Sequence, residues 1–143
     1  MHVWTILLAG WVLLVFVVCT FPWWIESAQW GRVRWIPLLD AFRSSRLLRD
    51  TVANCFLYMP LGFAYARVRA APGIKSMYEA AIVGLLLSIS CEFYQVFSPV
   101  RFPSMTDVVM NTTGAFLGAS IARRFMRGRV VSLFVVCNPV IWW

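Results

Sequence analysis

Charge is scarce in this sequence. Asp, Glu, Lys and Arg make up 13% of its 143 residues, about half the roughly 25% usual in soluble domains. So thin a supply of charge excludes an ordinary water-exposed surface. Histidine is scarcer still: His2 stands alone at the N-terminus, which removes imidazole from acid–base catalysis and from metal ligation. The four cysteines, Cys19, Cys55, Cys91 and Cys137, are widely spaced inside apolar segments with no C-x-x-C pair. That pattern points away from a metal site or a disulfide framework and leaves them as small buried hydrophobes. Neither a G-x-S-x-G elbow nor a phosphate-cradling P-loop occurs. Any catalysis would have to use carboxylates, and no cofactor or metal is expected unless a divalent cation were held by their oxygens.

What the chain has instead is apolar sequence: 61% of its residues are hydrophobic, gathered into long runs. This composition predicts a single-domain, all-α, polytopic transmembrane helix bundle over 1–143, with the lipid bilayer as its surroundings. The net charge of +7 would suggest nucleic acid in a soluble protein. Here the basic residues cluster at the ends of apolar runs and several of the eight Trp lie beside them, as membrane-interface anchors do, so no nucleic-acid partner is expected.

Four spans are expected, at 3–21, 50–66, 77–97 and 106–122, followed by a short apolar tail at 130–143. The first run lacks a basic n-region and a small-residue cleavage site, so it reads as a retained helix. The connection at 24–49 alternates Trp, Ile and Leu with Arg, and its part 38–49 is expected to lie as a short helix in the headgroup layer. Pro60 should kink the second span. The tail is too short for a full span and reads as a truncated fifth span or a re-entrant segment. The basic stretches around Arg67, Arg69 and Lys75 and around Arg123, Arg124, Arg127 and Arg129 fall on one side if four helices cross. The positive-inside rule makes that side, and the N-terminus, cytoplasmic. The Arg-rich connection then lies outside, against the rule.

Polar residues break the apolar runs at helical spacing. Asp50 and Asn54 are four apart, as are Asp107 and Asn111, while Ser88, Glu92 and Gln95 form a stripe at i, i+4 and i+7. With Arg101, they are expected to gather at the membrane face opposite the Arg67 loop. Ionisable groups inside spans are costly and mark working sites by default. Structural roles compete with that reading: either Asp suits a helix start, either Asn suits an interhelical bond, and Glu92 suits a pair with Arg101. The repeated Asp–Asn spacing reads as a duplicated hairpin or as chance. Gly114 and Gly118 make a G-x-x-x-G that, with Gly62, predicts close helix packing and offers a surface for a homo-oligomer.

The ordered combination resembles the VanZ-like family of bacterial integral membrane proteins. One block is Ile36-Pro37 followed by Asp50-x-x-x-Asn54 and Pro60-Leu61-Gly62-Phe63. The other is Ser88-x-x-x-Glu92-x-x-Gln95, Arg101 and Asp107-x-x-x-Asn111-x-x-Gly114-x-x-x-Gly118. The resemblance implies a multi-pass protein of the cell envelope, in the cytoplasmic (inner) membrane of a bacterium. It supplies a context, resistance to the glycopeptide antibiotic teicoplanin in the founding member, without a settled molecular activity. The Arg- and Trp-rich connection before Asp50 departs from the pattern.

Three functions fit these residues. The first is binding of a lipid-linked cell-wall precursor or a lipoglycopeptide, with Arg43, Arg46 and Arg49 holding its anionic groups. The second is an intramembrane carboxylate enzyme using Glu92 and Asp107 on a lipid-linked substrate. The third is a small transporter with Glu92 as its proton site.

Overall fold

A computed structural model describes residues 2–39, 45–69 and 73–137, with side chains up to Arg127. It contains four helices: α1 His2–Thr20, α2 Ser45–Arg69, α3 Ile74–Gln95 and α4 Met105–Cys137. A single 3-10 turn, Trp30–Arg32, interrupts the α1–α2 connection. Among the described residues the one piece of β pairing is an isolated parallel bridge between Arg34 and Ser104. The described residues therefore form an all-helical fold.

The helices alternate in direction. Near the start of α1, the Trp4 ring lies 5.8 Å from that of Phe63, and the Arg67 guanidinium sits 4.7 Å above Trp4. Midway, Trp11 Nε1 donates to Leu57 O at 2.8 Å. The α2–α3 hairpin is locked by a forked contact in which Arg69 Nε and Nη2 donate to the two Glu79 oxygens at 3.0 and 3.1 Å. These contacts gather the starts of α1 and α3 and the end of α2 at one end of the bundle. Thr20, Asp50, Gln95 and Asp107 lie toward the other.

Small residues decide how closely α2 and α4 approach. Gly114 lies against the backbone of Cys55 and Gly118 against that of Met59, while Gly62 lies against the backbone of Ala115. Numbers rise together along both helices in the first two contacts, so α2 and α4 run parallel. A Cβ on Gly118 would sit 2.7 Å from the Met59 carbonyl carbon, and one on Gly114 would sit 2.9 Å from that of Cys55. The G-x-x-x-G face is thus filled by α2 of the same chain and is not left open for self-association. Beside the seam, Val15, Tyr58, Leu61 and Ala115 form one buried cluster, and Ala66, Ala80, Ala119 and Ala122 form a second.

Several expected boundaries move. α2 begins at Ser45, so 45–49 is the opening of α2 and not part of a separate surface helix; the remainder of that expected helix, 40–44, lies outside the described residues. α2 runs unbroken through Pro60. α4 continues past Arg123, Arg124 and Arg127 to Cys137, so the start of the apolar tail extends α4 instead of forming its own span. Arg is a good helix former, and a charge cluster that ends an apolar run need not end the helix. Residues 138–143 of the tail lie outside the described residues.

Two helices, α1 and α3, are long and apolar enough to cross a membrane. At 1.5 Å per residue they reach roughly 28 and 33 Å, close to a hydrocarbon core of about 30 Å. Only 11% of the α1 stretch and 28% of the α3 stretch is buried within the fold, unlike the core helices of a soluble protein. α2 and α4 carry Asp50, Asn54, Asp107, Asn111 and several Arg, and fall short by the same measure. Apolar side chains nonetheless cover the outward faces of all four, among them Ile6, Leu13, Phe56, Leu86, Leu117 and Phe125.

Candidate functional site

The site begins with a strap. After α1 the chain crosses the α3–α4 connection and is pinned to it at successive points. Glu26 N donates to Phe97 O at 2.8 Å and Gln29 N to Val96 O at 2.9 Å, giving partners to carbonyls that the end of α3 leaves open. Arg32 donates to Pro99 O at 2.8 Å and to Gln29 Oε1, and its guanidinium lies 4.2 Å above the Phe102 ring. Arg34 N then donates to Pro103 O at 2.9 Å, Met105 N donates to Arg34 O at 3.0 Å, and Leu38 N reaches Thr106 Oγ1 at 2.9 Å. The strap fixes the backbone of Arg34 beside the first turn of α4.

Beneath it lies a cavity of about 370 Å³. Asp50, Asn54, Glu92, Gln95, Arg101, Asp107 and Asn111 all line it, together with Arg34, Ser104 and Thr106. Residues from α2, α3, α4 and two connections therefore meet at the end of the bundle remote from Arg67 and Glu79.

Several of these side chains already have structural partners. Gln95 Nε2 donates to Cys19 O at 2.8 Å. Arg101 donates to Phe21 O through Nε at 3.0 Å and Nη2 at 2.7 Å, and to Val18 O at 3.2 Å. Together they cap the open carbonyls at the end of α1. Arg101, the sequence's nearest partner for Glu92, is held there by α1. Glu92 instead accepts from the backbone N of Ser104 at 2.7 Å, tying the last turn of α3 to the start of α4. Asn111, only 3% exposed, donates through Nδ2 to Ser88 Oγ at 2.8 Å.

Other groups are left open. Asn111 Oδ1 is buried without a donor, and Arg34 Nε is buried without an acceptor. Asp107 stands in the first turn of α4 beside Asn54, and Arg34, Arg101 and Asp50 are near enough to act on it electrostatically. Arg34 acts likewise on Glu92. Asp50 is exposed and lies inside α2, beyond its first turn. The two Asp–Asn pairs are thus not equivalent, because only Asp107 opens its helix. Among the described residues, three acidic side chains and two guanidinium groups line this one cavity, an excess of acidic over basic residues.

The arginines proposed for anionic groups are placed differently. Arg46 and Arg49 are exposed at the start of α2 and do not line the cavity; Arg43 lies outside the described residues. The cations that do line it are Arg34 and Arg101. Sequence reasoning saw Arg34 only as one of the arginines of the connection and gave it no place in the site. The available signal was the Arg32-x-Arg34 alternation ahead of Trp35, which gives no hint of a partner about 70 positions away.

No curated protein and no solved structure matches the chain. Residues 4–127 match the VanZ/LLP1 family, a stretch that takes in α2 and α3 whole, most of α1 and α4, the strap and every described residue lining the cavity. The chain therefore belongs to the VanZ/LLP1 family.

Proposed function

We propose that this protein is a single-domain, four-span bundle of the bacterial cytoplasmic membrane that binds the polar end of an amphiphilic envelope component. The observation that carries this reading is the cavity: a polar, mixed-charge hollow at one end of helices whose outward faces are apolar and exposed. A hollow of about 370 Å³ suits a head group and not a whole lipid. Acyl chains would run down the exposed flanks of the helices. A lipid-linked cell-wall precursor or a lipoglycopeptide has this two-part chemistry, and the latter would give the cavity a part in glycopeptide resistance.

Orientation follows from where the basic residues lie. Arg67, Arg69, Lys75 and Arg123 share an end with the start of α1, which supports a cytoplasmic N-terminus and a cavity facing outward. Of the Arg-rich connection that opposes this, Arg32 is bound into the strap's own contacts. The test is extraction of the protein with its native lipids, followed by mass spectrometry of what stays bound. A specific amphiphile should co-purify and be lost from folded Asp50→Asn/Asp107→Asn protein. An identical lipid complement in both would reject the reading.

A second reading, an intramembrane enzyme on a lipid-linked substrate, draws on one observation: carboxylates from α2, α3 and α4 share the cavity. Conversion of envelope lipids by the purified protein, abolished in Glu92→Gln/Asp107→Asn, would establish it. Binding without conversion leaves the first reading in place.

A further inference from the structure

The kind of head group can be read from the groups left open in the cavity wall, an inference that rests on the binding reading above. The lining offers both signs of charge, and the two signs are not equally available. Of the two guanidinium groups among its described residues, that of Arg101 makes three hydrogen bonds to the end of α1. That of Arg34 makes one described side-chain hydrogen bond, a long one of 3.5 Å to Phe102 O, and its Nε has no partner. Arg34 is therefore the cation with donors to spare, and a guanidinium fork matches phosphate geometry.

The acceptors are more numerous. Asp107, Asp50 and the second oxygen of Glu92 all belong to lining residues, and Asn111 Oδ1 sits 97% buried in the wall, by residue, with no donor opposite. A buried acceptor without a donor is destabilising, and a ligand N–H or O–H would relieve it. A purely anionic head group would satisfy Arg34 while facing three carboxylates. A purely cationic one would satisfy the carboxylates and leave Arg34 unmatched. We propose that the cavity takes a zwitterion in which a primary ammonium lies a short chain away from a phosphate, the phosphate meeting Arg34 and the ammonium meeting Asp107, Glu92 and Asn111.

The requirement for N–H donors separates this ligand from its nearest relatives. A primary ammonium carries three donors for carboxylate and amide oxygens. A trimethylammonium carries none and is recognised by aromatic cages, whereas among the described residues Phe102 is the one aromatic lining this cavity. A phosphoglycerol head group brings hydroxyl donors without the positive charge.

The test uses the full chain in detergent, titrated with short-chain phosphatidylethanolamine, phosphatidylcholine and phosphatidylglycerol and with free phosphoethanolamine, binding being followed by thermal shift and native mass spectrometry. Phosphatidylethanolamine is expected to bind at least about tenfold more tightly than either other lipid, equivalent to 1.4 kcal/mol. That preference should vanish in Asp107→Asn, whereas Arg34→Gln should weaken all three lipids alike, because each carries the phosphate; circular dichroism identifies either variant that fails to fold. Equal affinity for the free compound would make the ligand a soluble zwitterion, while binding of the lipid alone would make it a membrane component, and both outcomes support the assignment. Phosphatidylglycerol or phosphatidylcholine binding as tightly as phosphatidylethanolamine overturns it and leaves amphiphile binding standing. If no amphiphile binds at all, the binding reading fails with it.

Discussion

Replacing Gly118 by Ala should destabilise the bundle, although the same change in an open helix would stabilise it. In lipid, apolar contact between helices has little hydrophobic driving force, so the α2–α4 seam depends on close van der Waals packing. The added methyl carbon would lie 2.7 Å from the Met59 carbonyl carbon and 3.0 Å from its Cα. Ordinary carbon–carbon contact is about 3.5–4.0 Å, so the helices must part locally by roughly 1 Å, and a gap of that size forfeits a quarter to a half of each dispersion contact. Because the obstruction is backbone, no side chain can rotate out of the way. Overpacking of this kind costs about 1–3 kcal/mol, while Gly→Ala in a helix returns nearly 1 kcal/mol. The rigid obstacle places the net loss toward the upper end, at about 2 kcal/mol, or a fall in Tm of roughly 4–8 °C if the scaling for soluble domains of similar size holds. Gly10 in α1 supplies the control, since a Cβ there meets nothing within 4 Å. Gly10→Ala should unfold at or slightly above the wild-type temperature. A Gly118→Ala protein as stable as Gly10→Ala would show that the two backbones do not meet at Met59, and the account of the seam would be wrong.

Ser88→Ala removes the acceptor of the buried Asn111 Nδ2 and should cost about 1–3 kcal/mol. Ser88→Ala/Asn111→Leu should recover part of that loss in the same thermal-unfolding series, because both partners are then apolar. Glu92→Gln keeps an oxygen that can accept from Ser104 N, so it should fold with near-native stability, whereas Glu92→Leu should lose about 1–3 kcal/mol. Arg101→Gln should free the end of α1, raising hydrogen exchange of the amides around 18–21 with little change in α3; unchanged exchange there would contradict the capping role.

The sequence was most readable where helical geometry converts spacing directly into position. Asp50 with Asn54, Asp107 with Asn111 and Glu92 with Gln95 stood out because polar pairs at helical spacing interrupt apolar runs. Chain alternation then sent all of them to one end of the bundle. Gly62, Gly114 and Gly118 were legible for a similar reason, since Gly repeated at four-residue spacing in an apolar helix has few uses besides close approach. The strap was not legible. Its hydrogen bonds join the residues near 26–38 to those near 96–106, it has no internal period, and its partners are distant carbonyls that a sequence does not display. Arg34 was hidden with it. The reach of α4 was hidden for another reason: hydropathy locates the edge of an apolar run, but Arg123, Arg124 and Arg127 propagate a helix almost as well as Leu does.

The polar residues of this cavity serve two purposes, and the distinction bears on how any mutant phenotype should be read. Gln95 and Arg101 hold the end of α1, and one oxygen of Glu92 holds the start of α4, so their loss should weaken the fold before it affects any ligand. Asp50 is different. It is exposed, lies beyond the first turn of α2 and lines the cavity, so neither burial nor a role at the helix start explains a carboxylate there. Asp50→Asn is nearly isosteric and should leave the unfolding free energy within about 0.5 kcal/mol of wild type, as exposed substitutions usually do. If the cavity binds the ammonium of a zwitterion, the same variant should weaken phosphatidylethanolamine binding several-fold and phosphatidylglycerol binding little or not at all. Gln95→Leu should show the reverse pattern, a lower Tm with lipid preference intact in whatever fraction remains folded. Were Asp50→Asn to lose stability and keep its ligand, the carboxylate would belong to the architecture, and the acidic excess of the cavity would no longer argue for a cationic group in the ligand.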